Sequence, residues 1–94
     1  MRLRTLEIAL EGLEGFRRPD PRMEQYVTPA PLAAWLLHHA HLLGDIGGKA
    51  VCDLGCGTGV LACGAVLLGA ERVTGVELDP DALAVAGRNA ARLG

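Results

Sequence analysis

The residues of this chain that are best suited to chemistry lie between Asp53 and Glu77. The sequence Gly-Cys-Gly-Thr-Gly at 55–59 follows a short apolar run and precedes an apolar segment at helical spacing. A glycine loop in that place lets the backbone approach a ligand, and the start of the helix favours negative charge there. Glu77, at the end of the next predicted strand, can accept two hydrogen bonds from a ribose diol. Together these residues predict a pocket for an adenosine-containing cofactor.

The spacing of the glycines separates the candidate cofactors. A dinucleotide fingerprint requires a third glycine three residues after the second, and Val60 stands at that position. A phosphate-binding Walker loop is excluded because no Gly-Lys-Ser/Thr follows the glycines. Asp53, two residues before Gly55, would repel a pyrophosphate. Its carboxylate suits a cationic group, such as the amino or sulfonium end of S-adenosylmethionine.

Two segments resemble the motifs of Rossmann-type S-adenosylmethionine-dependent methyltransferases. Asp-Leu-Gly-Cys-Gly-Thr-Gly at 53–59 resembles their first motif, and Gly-Val-Glu-Leu-Asp at 75–79 resembles their second. The fold class expected is therefore α/β, the N-terminal part of a doubly wound sheet preceded by helices. The alternative is a glycine turn without a ligand, which would require neither Asp53 nor Glu77.

Upstream segments resemble one group, the archaeal and eukaryotic rRNA adenine-N6 methyltransferases. They are Glu-Gln-Tyr-Val-Thr-Pro at 24–29, Leu-Leu-His-His-Ala at 36–40, Gly-Asp-Ile-Gly-Gly-Lys at 44–49 and Ala-Val-Leu-Leu-Gly-Ala at 65–70. The resemblance implies methyl transfer to adenine in ribosomal RNA and, for some relatives, a small zinc-binding activator subunit. It also implies cofactor contacts at Gln25, Thr28, Gly55, Thr58, Val60 and Glu77, supported by Asp53 and Gly57.

The sequence departs from that group at the catalytic motif. The resemblance implies an Asn/Asp-Pro-Pro-Phe/Tyr tetrapeptide whose polar groups accept hydrogen bonds from the target amine, and no such tetrapeptide occurs. Asn-Ala-Ala-Arg at 89–92 does not replace it, since it lacks proline and an aromatic ring. We therefore assign no catalytic residue. Residues 1–94 are expected to be one incomplete domain, with helices and a cofactor-covering segment at 1–44 and a β-loop-α-β-α unit at 50–94.

Two other functions stay open at this point. A methyltransferase of ribosomal proteins or release factors would carry a similar first motif and a helix like 82–89, although the segment 24–28 argues against it. A truncated, inactive chain that binds cofactor weakly, or only assembles with a partner, is the other alternative.

In the adenine enzyme, proximity and orientation would supply most of the rate, and the target base would have to leave its stack to reach the pocket.

The elements that must position these residues follow from periodicity and from turn signals. Leucines at 3, 6, 10 and 13 predict an amphipathic helix over 3–13. A second helix is expected from a Thr28 cap and Pro29 to Gly44, with an apolar face of Leu32, Trp35, Leu36, Leu42 and Leu43. Strands are predicted at 50–54, buried on both faces, and at 72–77. Helices follow each strand, and the last is capped by Asp79.

Composition limits the classes of protein. The chain has 94 residues, 50% hydrophobic and 21% charged, with a net charge of −2. Residues 1–13 are not expected to form a signal peptide, because Arg and Glu interrupt their leucines, and no stretch is expected to span a membrane. The net charge gives no footprint for nucleic acid. Three clustered cysteines favour the reducing cytoplasm over a disulfide framework. Cys52 and Cys63 are expected to be small buried residues. Histidines 38, 39 and 41 are expected to be solvated rather than metal ligands.

Overall fold

The order of the elements agrees with the prediction. A computed structural model describes residues 1–16 and 28–93. Its elements are α1 (Leu3–Glu11), α2 (Ala30–Leu42), β1 (Ala50–Leu54), α3 (Val60–Leu67), β2 (Arg72–Val76) and α4 (Pro80–Leu93). Their ends differ from the predicted ends by one or two residues. None of the helices in these two ranges has the length and apolar character needed to cross a bilayer.

The two strands lie side by side and run parallel. Ala50 is paired with Arg72 and Leu54 with Val76, so both strands end at the same edge. Parallel neighbours need a crossover connection, and α3 provides it. The glycine loop and Glu77, which follow β1 and β2 directly, therefore lie at one edge of the sheet.

The prediction that β1 is buried on both faces is wrong for the described residues. Val51 and Asp53 are half-buried, whereas Cys52 is exposed and Leu54 is 78% exposed. Successive side chains of a strand point to opposite faces. Helix α3 packs against both strands, and the described residues leave the other face of the sheet uncovered. The expectation that Cys52 is buried is wrong for the same reason.

The main core lies between the first three helices and the sheet. Leu6 and Leu10 of α1 are buried, as their spacing predicts. The cluster is completed by buried residues from α2, the turn after it and α3, namely Ala33, Ala34, Ile46, Val60, Ala65 and Leu68. Val51 and Val73 pack against this cluster from the strands, so the core fixes the sheet relative to α3.

Helix α2 buries a different face from the one predicted. Its fully buried residues are Ala33 and Ala34, whereas Leu32, Trp35 and Leu36 are about half exposed, at 49%, 55% and 45%. The helix is apolar on nearly every side, so periodicity does not select a face. The alanine face is buried because small side chains allow α1 and α3 to approach closely.

The cap of α4 is confirmed and the cap of α2 is not. The Asp79 carboxylate accepts a hydrogen bond of 3.0 Å from the backbone N–H of Asp81, as an N-cap residue does. At α2, the N-cap position is taken by Pro29 rather than Thr28, and Pro31 lies within the first turn. The proline side chain has no hydrogen-bonding atom, so this helix begins without a side-chain cap.

We expect Gly64→Ala to be less stable than Gly87→Ala by about 1–3 kcal/mol, because it overpacks the helix interface while both substitutions gain helix propensity. A Cβ at Gly64 would overlap with Cδ1 of Leu37 on α2 and would lie 3.6 Å from the Leu10 methyl groups on α1. Urea unfolding followed by circular dichroism measures the difference.

Gly87→Ala is the matched control for this substitution. Gly87 also lies inside a helix, but a Cβ there would meet nothing within 4 Å. Alanine should therefore stabilise α4 by up to about 1 kcal/mol through its higher helix propensity. Equal effects of the two substitutions would contradict the close approach of α2 to α3.

Candidate functional site

The glycine loop, residues 55–59, connects β1 to α3 in a conformation that requires glycine. Gly55, Gly57 and Gly59 have φ values of 66°, 57° and 86°, in the left-handed region. The backbone N–H of Cys56 donates to the carbonyl of Val76 at 2.9 Å, which ties the loop to the end of β2. The predicted loop is thus held at the carboxyl edge of the sheet.

Glu77 fixes the loop from the second strand. One carboxylate oxygen accepts the backbone N–H of Gly57 at 2.8 Å, and the other accepts the N–H of Asp79 at 3.0 Å. A carboxylate has about four acceptor positions, so these two bonds leave acceptor capacity for a ligand. The bond to Gly57 also occupies an N–H that a glycine loop could otherwise offer to a phosphate.

Asp53 presents a carboxylate oxygen that is buried and lacks a partner. Its Oδ2 atom has no hydrogen-bond donor among the described residues. Burial raises the pKa of Asp53, a backbone hydrogen bond from Ala62 opposes the rise, and the charge of Glu77 adds to it. A buried acceptor without a partner costs free energy in the native state. Such an oxygen fits a cationic donor group of a ligand.

The other predicted site residues occupy different surroundings. Thr58 and Val60 are buried, at 2% and 9% exposure, and Val60 belongs to the main core. Thr28 is half-buried directly before α2. Gln25 lies outside the described residues. The structure thus brings Asp53, the glycine loop and Glu77 together and gives Thr58 and Val60 a packing role in addition.

The residue that joins the loop to the N-terminal segment was not predicted from the sequence. Asn89 of α4 is completely buried. Its Nδ2 donates to the carbonyls of Thr58 and Glu14, at 2.8 and 3.0 Å, and its Oδ1 accepts the N–H of Glu14 at 2.9 Å. Asn89 follows Ala82 and Val85 on the buried stripe of the helix. A polar residue on that stripe was the available signal.

Phe16 was also missed. Its ring lies against the glycine loop, and a Cβ on Gly57 would come within 2.9 Å of its Cζ atom. The backbone carbonyl of Gly12 accepts a hydrogen bond of 2.7 Å from Arg92, which holds the start of the same segment on α4. The leucine periodicity ends at Leu13 and no pattern marks residues 14–16, so only the folded arrangement shows this contact.

The cysteines do not form a nucleophilic centre. Cys56 belongs to the loop and packs above Gly75, where a Cβ would lie 2.9 Å from its sulfur. Burial raises the pKa of the Cys56 thiol, and the charges of Asp53 and Glu77 raise it further. Cys63 is buried as predicted, and burial raises its pKa as well. Raised values favour the unreactive thiol at neutral pH. Among residues 1–16 and 28–93, no three metal-ligating side chains cluster.

The chain is similar to known methyltransferases. The sequence model of the family described as ribosomal protein L11 methyltransferase (PrmA) matches residues 37–93. The chain is 48% identical over 84 residues to the rRNA N(6)-adenosine-methyltransferase Mettl5 of Drosophila melanogaster, covering 88% of this chain and 39% of that protein. It is 52% identical over 75 residues to a ribosomal protein L11 methyltransferase of Vibrio campbellii, covering 80% and 25%.

A solved structure has the same arrangement. The crystal structure of a candidate RNA methyltransferase from Pyrococcus horikoshii matches 97% of this chain with a TM-score of 0.94 and 50% identity. That match covers 46% of the archaeal chain, so this chain spans less than half the length of these three relatives.

These similarities confirm the predicted resemblance and the Rossmann-like fold. The region that the family model matches contains β1, the glycine loop, Glu77 and α4. The family match and the candidate site therefore rest on the same residues. The chain belongs to the S-adenosylmethionine-dependent methyltransferases, in the family described as ribosomal protein L11 methyltransferase (PrmA).

Proposed function

We propose that this chain provides the S-adenosylmethionine site of an enzyme that methylates the N6 amino group of adenine in ribosomal RNA. The observation that carries the cofactor part is the arrangement of Asp53, the glycine loop and Glu77 at one edge of the sheet. The substrate part is supported by the identity to Mettl5, which extends over 88% of this chain.

The residues present fit the cofactor. The unpartnered Oδ2 of Asp53 would accept hydrogen bonds from the cationic amino acid end. The remaining acceptor positions of Glu77 would take the ribose hydroxyls. Gly55 leaves room for the ligand beside the backbone, because a Cβ there would meet nothing within 4 Å. Gly57, whose open side is taken by the Phe16 ring, and Thr58 and Val60 would support the loop. Gln25 and Thr28 are proposed contacts from the covering segment.

The cofactor, when bound, supplies a methyl group on a sulfonium that a nucleophilic amine can attack. The residues of this chain would bind and orient that group. Holding the reactants in line supplies several kcal/mol of the barrier, of the order of 7–11 kcal/mol at most. Burial raises the pKa values of Cys56 and Cys63, which disfavours the ionised thiol that covalent catalysis needs.

Titration calorimetry tests the cofactor part. The chain should bind S-adenosylmethionine and S-adenosylhomocysteine and should not bind NAD⁺ or ATP at the same concentrations. The reason is that Asp53 and Glu77 repel phosphate groups and Glu77 already occupies the Gly57 N–H. Binding of all four compounds with similar affinity would contradict the assignment.

A ribosomal protein methyltransferase is the second candidate, favoured by the family match to residues 37–93. Deletion of the gene, followed by mass spectrometry of rRNA nucleosides and of intact L11, separates the two. We expect N6-methyladenosine to fall in rRNA while the mass of L11 is unchanged. A lower mass of L11 with unchanged rRNA would support the second candidate. No change in either would contradict both.

A further inference from the structure

We propose that Asn89 is a positioning residue of the cofactor site and that the segment 12–16, which it anchors, forms a wall of that site. The proposal rests on the proposed cofactor function and extends it to residues outside the predicted motifs.

The glycine loop is held at two adjacent positions by side chains of two different segments. Glu77 takes the N–H of Gly57 at 2.8 Å, and Asn89 donates to the carbonyl of Thr58 at 2.8 Å. Glycines in the left-handed region would otherwise leave the loop free to take other conformations. Both bonds are therefore needed to keep the backbone open toward the ligand.

Asn89 also binds the N-terminal segment, through both backbone polar groups of Glu14. It accepts from the N–H of Glu14 at 2.9 Å and donates to its carbonyl at 3.0 Å. The Glu14 side chain accepts a hydrogen bond of 3.1 Å from Arg88, one position before Asn89. The segment is thus fixed on α4 through three contacts around a buried carboxamide.

The contacts close into a ring. Glu14 lies two residues before Phe16, and the Phe16 ring meets Gly57 in the loop. Gly57 precedes Thr58, whose carbonyl accepts a hydrogen bond from Asn89. A buried amide that satisfies three hydrogen bonds specifies one arrangement strongly, because any other arrangement leaves polar groups unpaired. Displacing any member should therefore shift the loop.

The experiment compares two substitutions on the same face of α4. Asn89→Ala removes the carboxamide. Val85, four residues earlier, is only 1% exposed, and Val85→Ala removes its buried methyl groups. Both should lower the urea midpoint of unfolding. The dissociation constant of S-adenosylhomocysteine should rise at least tenfold in Asn89→Ala and less than threefold in Val85→Ala. Equal affinities in folded Asn89→Ala and wild type would overturn the proposal.

A second variant and a second readout keep the test decisive. If Asn89→Ala does not fold, Phe16→Ala replaces it, with Ile8→Ala, an exposed residue of α1, as its control. Phe16→Ala should also raise the dissociation constant at least threefold, and an unchanged value would overturn the wall. The backbone amide shift of Gly55, a loop residue at least two positions from both contacts, should move more in the site variants than in the controls when it is measured without ligand.

The two proposals fail in distinguishable ways. A wild-type chain that binds no S-adenosylhomocysteine contradicts the proposed function. The amide shifts still decide the positioning role in that case, because they do not depend on a ligand. Shifts that are equal in site and control variants would overturn it.

Discussion

Glu77→Gln is expected to weaken the binding of S-adenosylmethionine by at least about a hundredfold. The charged carboxylate accepts the N–H groups of Gly57 and Asp79 and has positions left for a ribose diol. A hydrogen bond to a charged group contributes about 1.5–3 kcal/mol, and about 1.4 kcal/mol corresponds to a tenfold change. An amide in its place presents an NH₂ group to one of its backbone donors and keeps only one oxygen.

The control substitution lies at the other end of the same strand. Glu71 is exposed and precedes β2, so Glu71→Gln changes the net charge equally without touching the site. Calorimetry on both variants should show a change of less than twofold for Glu71→Gln. A methylthioadenosine analogue without the two ribose hydroxyls provides a further check. Glu77→Gln should lower the affinity for this analogue much less than it lowers the affinity for methylthioadenosine. Equal losses for both compounds would remove the ribose from the assignment.

The parts of this site that could be predicted are those that local sequence determines. Glycines at 55, 57 and 59 predict a loop between β1 and α3, and the structure shows that loop with all three φ values in the left-handed region that favours glycine. A helix between two strands predicts that the strands run parallel, and parallel strands place Glu77 at the same edge of the sheet as the loop. The order of elements, the buried stripe of α1 and the Asp79 cap followed from spacing in the same way.

The parts that could not be predicted depend on contacts between distant segments. Asn89 and Glu14 are separated by 75 positions, and nothing in either segment indicates the other. Helix α2 is apolar around most of its circumference, so its buried face depends on the helices that pack against it. Leu37 of α2, for example, lies next to Gly64 of α3, which is also close to Leu10 of α1. An apolar run does not show whether one or both faces of its strand are covered by other elements. The burial of β1 was therefore overestimated.

Asp53 shows why a site residue can oppose stability. Its Oδ2 is buried without a donor, and burial raises the pKa of this carboxyl above its ordinary value of 3.8. Between 3.8 and the folded-state pKa, the native protein binds more protons than the unfolded chain does. Stability therefore falls as the pH rises through this window, and the cost of the charged form is fully present at neutral pH. A ligand that donates to this oxygen would remove that cost.

Asp53→Asn is accordingly expected to stabilise the chain and weaken cofactor binding at once. The free energy of unfolding at pH 7 should rise by about 0.5–1 kcal/mol, a small gain because the partly exposed charge is screened by water. The affinity for S-adenosylmethionine should fall about tenfold to a hundredfold, since a charge-assisted hydrogen bond is lost. Asp45→Asn, at an exposed turn before the opposite end of β1, is the control and should change neither quantity.

The pH dependence separates this explanation from simple loss of packing. Urea unfolding between pH 7 and pH 4 should show the stability advantage of Asp53→Asn shrinking as the pH falls, because protonation of Asp53 removes the charge in the wild type as well. Cofactor affinity should converge over the same interval, since the wild type loses its anion and the variant has none to lose. Groups that do not interact with Asp53 titrate in both proteins and cancel in the comparison. A stability difference that is independent of pH would mean that the carboxylate is not the group that burial penalises, and its role in holding a cationic ligand would lose its physical basis.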